Sequence, residues 1–312
     1  MIRTPKFWRS VNIFSVLLFP ISLLYLAISS FIFYLRTAKK FKTKIICIGN
    51  VIAGGSGKTP SAIMLGKILT KHHYKVAFAC KNYLAPLKGP VKVNSKHTTS
   101  EVIEEALLLS AIADTFVAKS LLEAIELADD GFYDFIITDD GFQNNKFKKD
   151  MSILVVDGLI GFGNGLILPA GPLREPLAWA VKRADLVFMI GANHYESLSS
   201  IKTINLSQKL SLSGNADNYT AFTGIAYPEK FFNSLREQNL NILETIEYPD
   251  HKKYSEKDLD YLVKKAEKNN SSLITTEKDF IKIPSKYRNK ISILKLELVS
   301  EDNEIIDMIN QL

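Results

Sequence analysis

Residues 45–59 read Ile-Ile-Cys-Ile-Gly-Asn-Val-Ile-Ala-Gly-Gly-Ser-Gly-Lys-Thr. An apolar run typical of a buried strand is followed by a glycine-rich turn and then by the helical pattern of residues 58–70. Glycines let the backbone N–H groups of such a turn approach an anion closely, and the helix N-terminus adds a partial positive charge. The pattern therefore predicts a phosphate-binding loop between a strand and a helix.

We expect this loop to bind the phosphates of ATP. Lys58 would reach the β- and γ-phosphates, and the hydroxyl of Thr59 would ligate Mg²⁺. The strict P-loop pattern begins with a glycine where this chain has Ile52, but the run from residue 54 to residue 59 keeps the signal specific. The expected nucleotide contacts are Ile52, Ala53, Gly54, Gly55, Ser56, Gly57, Lys58 and Thr59.

Strand-like and helical patterns alternate on both sides of this loop. Near-continuous apolar strands that alternate with helices are typical of a parallel sheet covered on both faces, so we expect an α/β fold with a P-loop NTPase-like core. The predicted strands are Lys44–Gly49, Lys75–Cys80, Thr115–Ala118, Asp134–Thr138, Ile153–Asp157 and Leu186–Ile190. The predicted helices are Lys58–Thr70, Val102–Ala113 and Leu121–Asp129.

A polar stretch, Leu206–Asn218, predicts a boundary or linker before a second and smaller α/β series. In that series Ser255 and Asp258 predict a capped helix start, followed by an apolar face. We therefore expect a membrane-anchoring helix within residues 1–40, a P-loop core over 41–205, and a linker with a C-terminal domain over 206–312. The strands predicted for that domain are Tyr219–Thr223, Ile242–Tyr248, Ser272–Thr275 and Ile291–Leu296.

The N-terminal segment Val11–Leu35 contains no charged residue. As a helix it would be about 37 Å long, which exceeds a bilayer hydrocarbon core of about 30 Å. A cleaved signal peptide normally has a shorter apolar region, and a buried core helix needs no basic flanks. Pro20 leaves a kinked or shallow insertion open beside a straight span. The denser basic cluster after the segment predicts that the rest of the chain is cytoplasmic.

The charge distribution bears on the binding partners. The formal net charge is +6, but eight of the 39 Lys and Arg residues lie within residues 1–44, which contain no acid. The remainder has 31 basic and 33 acidic residues. A basic excess confined to an apolar end favours an anionic lipid surface as the partner and argues against nucleic acid.

A second candidate site feature is the segment 134–143, an apolar strand that ends in Asp139 and Asp140. In open α/β sheets the carboxyl ends of the strands line the ligand crevice. P-loop enzymes keep a magnesium-associated acid at such a strand end. We therefore expect Asp139 to associate with Mg²⁺, and both aspartates to take part in catalysis.

An ordered set of motifs resembles the tetraacyldisaccharide 4′-kinase family over essentially the whole chain. The motifs are Gly49-Asn50 with Gly54-Gly-Ser-Gly-Lys-Thr-Pro60, Asp139-Asp-Gly-Phe-Gln143, Gly161-Phe-Gly-Asn-Gly165, Leu168-Pro-Ala-Gly-Pro-Leu-Arg-Glu-Pro176, Phe222-Thr-Gly-Ile225, Tyr248-Pro-Asp-His251 and Thr275-Thr-Glu-Lys-Asp279. The resemblance implies a kinase that transfers the ATP γ-phosphate to the 4′-hydroxyl of an acylated glucosamine disaccharide 1-phosphate. The product would be lipid IVA, and the location the bacterial inner membrane.

The resemblance also implies roles for particular residues. Glu104 would be the general base for the acceptor hydroxyl, assisted by His251, while Glu105 would be a metal-associated acid. The family's usual Gly-Asp-Glu-Pro reads Ile103-Glu-Glu-Ala106 here, so the base is one methylene longer. Its usual Ser-Arg-Gly-Tyr-Gly reads Cys80-Lys-Asn-Tyr-Leu84, which changes the local loop.

The alternative function is that of a membrane-associated partitioning-type ATPase, which uses ATP as a switch. Such proteins carry a lysine just before the paired glycines, where this chain has Ala53. The clustered acids at 104–105 also favour a kinase. Acyl-chain preference and oligomeric state have no signal in the sequence.

Overall fold

The computed structural model describes residues 5–35, 37–82 and 89–312. The described chain divides into two compact units, Lys6–Gln208 with Leu298–Leu312, and Lys209–Glu297. The sequence had placed residues 298–312 in the C-terminal domain, whereas they pack with the first unit.

The first unit is an α/β structure that follows the alternating sequence pattern. Its helices are α1 (Ile13–Tyr34), α2 (Lys58–Lys71), α3 (Glu104–Ser110), α4 (Leu121–Ala128), α5 (Leu177–Val181) and the C-terminal α10 (Asp302–Ile309). Its strands are β1 (Lys44–Gly49), β2 (Val76–Lys81), β3 (Val91–Lys92), β4 (Asp114–Ala118), β5 (Phe135–Asp139), β6 (Met151–Asp157), β7 (Leu186–Ile190) and the start of β8 (Thr203–Ser213).

The sheet of this unit has the order β8-β7-β6-β1-β5-β2-β4-β3. Its strands pair in parallel except for β3, which is antiparallel to β4. Apolar clusters built around α4 and around the 160–201 segment lie on one face of the sheet, and α2 packs against Phe78 on the other face. The predicted parallel sheet with helices on both faces is confirmed, because its strands are buried on both sides.

The second unit repeats the same layering at smaller size. After the end of β8 come β9 (Tyr219–Thr223), α6 (Pro228–Glu237), β10 (Ile242–Glu247), α7 (Glu256–Lys268), β11 (Ser272–Thr276), α8 (Glu277–Phe280), α9 (Ser285–Arg288) and β12 (Ile291–Val299). The parallel order is β10-β9-β11-β12. Helix α7 packs on one face and α6 on the other, and the capping box of Ser255 and Asp258 is present as predicted.

The predicted linker over Leu206–Asn218 is wrong in its secondary structure, because β8 continues to Ser213. The strand reads as a loop since only two of its residues, Ile204 and Leu206, are fully buried. Pairing supplies the order instead. Ser213 Oγ accepts the N–H of Ile293 at 2.9 Å.

Helix α1 is the apolar N-terminal segment. By length and composition it could cross a membrane, and its outer surface exposes many large apolar side chains. Asn12 caps it through a capping box with Ser15. Twenty-two residues at about 1.5 Å each give a length of about 33 Å, shorter than the predicted 25-residue helix but long enough for a hydrocarbon core.

Candidate active site

The phosphate loop lies between β1 and α2, as the sequence predicts. Asn50 braces it: its Nδ2 donates to the carbonyl of Ile52 at 2.9 Å and to Ser56 Oγ at 2.6 Å. Gly57 has φ 82°, and a side chain there would collide with Ile190. Glycine is therefore required at this turn into the helix.

The register of β1 and β5 brings the acids to this loop. Ile48 is paired with Asp139, so the carboxyl ends of both strands lie side by side. Thr59 Oγ1 donates to Asp139 Oδ2 at 2.7 Å, and Lys58 Nζ lies 3.7 Å from Asp140 Oδ1. The structure thus brings together Lys58, Thr59, Asp139 and Asp140, four of the predicted site residues.

The two aspartates differ in their electrostatics. Burial raises the pKa of Asp139 to about 6, against the opposing charge of Lys58 and the Thr59 hydrogen bond. The pKa of Asp140 is lowered to about 2, because the charges of Lys58 and Arg174 outweigh the effect of burial. Asp140 is therefore an anion that holds cations in place, whereas burial makes the ionised form of Asp139 costly unless a cation compensates it.

A network after Asp140 was not singled out by the sequence interpretation. Arg174 donates to Asp140 Oδ1 at 2.7 Å and Oδ2 at 3.2 Å, a bidentate pair. Gln143 bridges the carbonyl of Asn50 and Glu175 Oε1, at 2.8 and 3.0 Å. Gln143, Arg174 and Glu175 belong to motifs that the chain shares with the family. That resemblance is the signal by which the sequence could have identified them.

Glu104 and Glu105 begin α3 in the same unit. Glu104 is buried and Glu105 is half-buried, and their carboxylate oxygens lie within 4.8 Å of each other. The charge of Glu105 contributes to the raised pKa of Asp139. Glu105 therefore lies near Asp139. This position agrees with its expected role as a metal-associated acid.

His251 belongs to the second unit, on the turn after β10. Its backbone has φ 56°, and its N–H donates to the carbonyl of Gly224 at 3.2 Å and to Asp250 Oδ1 at 3.0 Å. Its Nε2 lies 3.8 Å from Asp250 Oδ2. Of the altered loop Cys80–Leu84, positions 83 and 84 lie outside the described residues.

The oxygen ligands near the loop fit Mg²⁺. Asp139 Oδ1 is buried and accepts no hydrogen bond within the described part of the chain, while Oδ2 accepts only the Thr59 hydroxyl. Carboxylate and hydroxyl oxygens are the donors that a hard cation prefers. A divalent ion would compensate the buried charge of Asp139.

Comparison with known proteins agrees with this geometry. The family model described as tetraacyldisaccharide-1-P 4′-kinase matches residues 14–312. The tetraacyldisaccharide 4′-kinase of Rickettsia canadensis is 39% identical over 306 residues, which cover 94% of this chain and 92% of that protein. That of Rickettsia akari is 36% identical over 314 residues, covering 97% and 95%.

A solved structure extends the similarity to the fold. The apo form of LpxK from Aquifex aeolicus, crystallised in complex with ATP, superimposes with a TM-score of 0.77. The match covers 95% of this chain and 98% of that one at 24% sequence identity. At this identity the likeness supports the architecture of the chain.

Proposed function

We propose residue roles for this chain, which belongs to the tetraacyldisaccharide 4′-kinase family. The chain is an ATP-dependent kinase of lipid A biosynthesis, and its acceptor is the 4′-hydroxyl of tetraacyldisaccharide 1-phosphate. The partitioning-type switch is not favoured, because the family match covers nearly the whole chain.

The observation that carries the mechanism is the cluster of Lys58, Thr59, Asp139 and Asp140 where β1 and β5 end. Phosphoryl transfer requires mainly positioning and charge neutralisation. The backbone of residues 52–59 binds the phosphates, and Lys58 neutralises the charge of the transferred group. Asp140 holds Lys58 and Arg174 in place.

Mg²⁺ would be held by Thr59, Asp139 and Glu105, and would supply neutralisation of the phosphate charge. Thr59 and Asp139 already share a 2.7 Å hydrogen bond, which orients both oxygen atoms. The partner-free Oδ1 of Asp139 supports the assignment within the described residues.

Glu104 accepts the proton of the acceptor hydroxyl, and His251 assists it. The buried position of Glu104 at the start of α3, next to Glu105, supports this role. Two observations support the role of His251: its place in the family motif, and the hydrogen bonds of the turn that fix its backbone.

Helix α1 binds the inner membrane, with the catalytic part on the cytoplasmic side. The exposed apolar surface of α1 and the basic residues on both sides of it support this proposal. An acceptor lipid anchored in the same bilayer then reaches the enzyme by diffusion in the membrane.

The test is transfer of labelled phosphate from ATP to the purified disaccharide lipid, with the phosphorylated position mapped. Lys58→Ala should lower turnover by about 10²–10³-fold, because the transition-state charge loses its neutralising cation. Lys71→Ala is the matched control, since Lys71 lies at the far end of α2 and pairs with Asp302. Equal turnover in a folded Lys58→Ala protein would remove the loop lysine from the mechanism.

A further inference from the structure

One side of α1 makes polar contacts with the rest of the first unit. Membrane binding by itself does not require these contacts. Ser15 and Ser22, two turns apart, are buried although the outer surface of α1 is apolar and exposed. Ser22 Oγ donates to the carbonyl of Ile167 at 2.8 Å and accepts the N–H of Ala170 at 3.1 Å. A buried hydroxyl is costly unless it is hydrogen-bonded, so these two contacts fix the position of Ser22 against Ile167 and Ala170.

Further contacts attach the beginning of the helix to the same segment. Trp8 Nε1 donates to the carbonyl of Pro169 at 2.9 Å, and the N–H of Asn164 donates to the carbonyl of Trp8 at 2.7 Å. Asn164 Nδ2 donates to Ser15 Oγ at 3.2 Å. Together these bonds seat α1 along residues 164–170, which we call the seating turn.

The seating turn leads directly to the phosphate loop. The N–H of Leu173 donates to the carbonyl of Leu166 at 3.0 Å, which folds the following residues back on the turn. Two backbone bonds then reach the loop: Ala53 N–H to Pro172 O at 2.8 Å, and Arg174 N–H to Val51 O at 2.7 Å. Arg174 is also the bidentate partner of Asp140.

We propose that Ser22 is a positioning residue for phosphoryl transfer. By fixing the seating turn, it holds Pro172 and Arg174 against the phosphate loop, so that Arg174 meets Asp140 in the geometry described above. This inference rests on the proposed roles of the phosphate loop and Asp140. Its consequence is that α1 contributes to the rate of reaction as well as to membrane binding.

The experiment uses the full-length protein with a disaccharide lipid dispersed in detergent micelles, so that access to a bilayer does not limit the rate. Ser22→Ala should lower kcat by about 10–100-fold, because small displacements of positioning groups cost that much. Its partition into membrane vesicles should stay unchanged, since alanine is no less apolar than serine. Ser22→Thr, which keeps the hydroxyl, should recover part of the rate.

Ser30→Ala is the matched control, because within the part of the chain that the structure describes the Ser30 hydroxyl donates to the carbonyl of Leu26 of its own helix, at 2.6 Å. It should leave kcat and vesicle binding unchanged. The split between kcat and the KM for ATP separates positioning from general weakening. If Arg174 moves away from Asp140, kcat should fall far more than the KM for ATP rises, and this should occur in Ser22→Ala only.

A kcat for Ser22→Ala equal to that of the wild type would overturn the proposal. An equally large fall in kcat and in partition into vesicles would overturn it too. If Ser22→Ala does not fold, Trp8→Phe takes its place, because it keeps the ring and removes the bond to Pro169. An unchanged kcat for that variant overturns the proposal as well. Absence of transfer by the wild type would contradict the proposed function instead.

Discussion

Each unit has a buried aspartate near the end of a strand, Asp139 at the end of β5 and Asp279 just after β11, and their surroundings are opposite. Asp139 in the first unit accepts one hydrogen bond, from Thr59, and its other oxygen has no partner in the described residues. Asp279 in the second unit is fully buried and saturated with donors. The donors are Thr223 Oγ1 at 2.6 Å, the Gly224 N–H at 2.9 Å, and Thr276 Oγ1 and Tyr254 OH at 3.0 Å. Lys282 Nζ forms an ion pair with Asp279 at 2.7 Å.

The pKa values follow the number of partners. Burial opposes ionisation at both sites, but the Lys282 charge and the hydrogen bonds lower the pKa of Asp279, while that of Asp139 rises to about 6. Burial alone therefore does not identify a functional carboxylate. Asp279, whose oxygens accept several hydrogen bonds, stabilises the fold. Asp139, with one oxygen that has no partner in the described residues, can accept a ligand.

Removal of the Asp279 charge should have the largest effect. Asp279→Asn leaves Lys282 buried without its counter-ion, so the free energy of unfolding should fall by about 3–5 kcal/mol. Chemical denaturation measures it, with Asp217→Asn, at an exposed position, as the control. The double variant with Lys282→Met should lose less than the two single variants combined. A loss below about 1 kcal/mol would contradict the comparison.

Asp139→Asn should act on rate and leave stability intact. The amide cannot compensate a divalent cation, so kcat should fall about 10²–10³-fold, about 3–4 kcal/mol of activation free energy. The apo-protein should unfold at the same denaturant concentration or a higher one, since a buried charge has been removed. Asp134→Asn is the control at the other end of the strand, where the acid accepts the N–H of Lys75. A destabilised but active Asp139→Asn protein would reverse the assignment of the two acids.

The pH dependence should separate the two sites. The folded-state pKa of Asp139, about 6, lies above its unfolded value of 3.8, so the folded state binds more protons in between and stability falls as pH rises. Relative to Asp139→Asn, the magnesium-free wild type should gain about 2 kcal/mol between pH 7.5 and pH 4.5. Asp279 has the opposite sign, because its stabilisation is lost as pH falls through its lowered pKa. A flat difference for Asp139 would show that its charge is already compensated.

The smallest effect should come from the length of the acid at position 104. Glu104→Asp restores the family's usual residue and should stay within about tenfold of the wild-type kcat, whereas Glu104→Gln should lose about 10²–10⁴-fold. Affinity for ATP should change little in either variant, and steady-state kinetics against the acceptor measures both. Wild-type turnover by Glu104→Gln would show that the general base is another residue, and Asp139 and Asp140 would be tested next.

Local sequence patterns predicted much of the candidate site. The strand, glycine turn and helix around Lys58 depend on neighbours within about one turn, so they were predicted at nearly their observed bounds. The strand ending at Asp139 was predicted for the same reason. The strand β8 was missed, because its order comes from a partner about 80 residues away.

The sequence by itself determined the family, the alternating α/β order, the phosphate loop and the apolar helix, because each of these is written in contiguous residues and their spacing. Only the tertiary structure decided which acids are satisfied and which are open. It also decided that Arg174 pairs with Asp140 and that Ser22 bonds to the turn 145 residues away. Hydrogen bonds between distant residues depend on the positions of whole strands and helices, which no local pattern of residue types encodes.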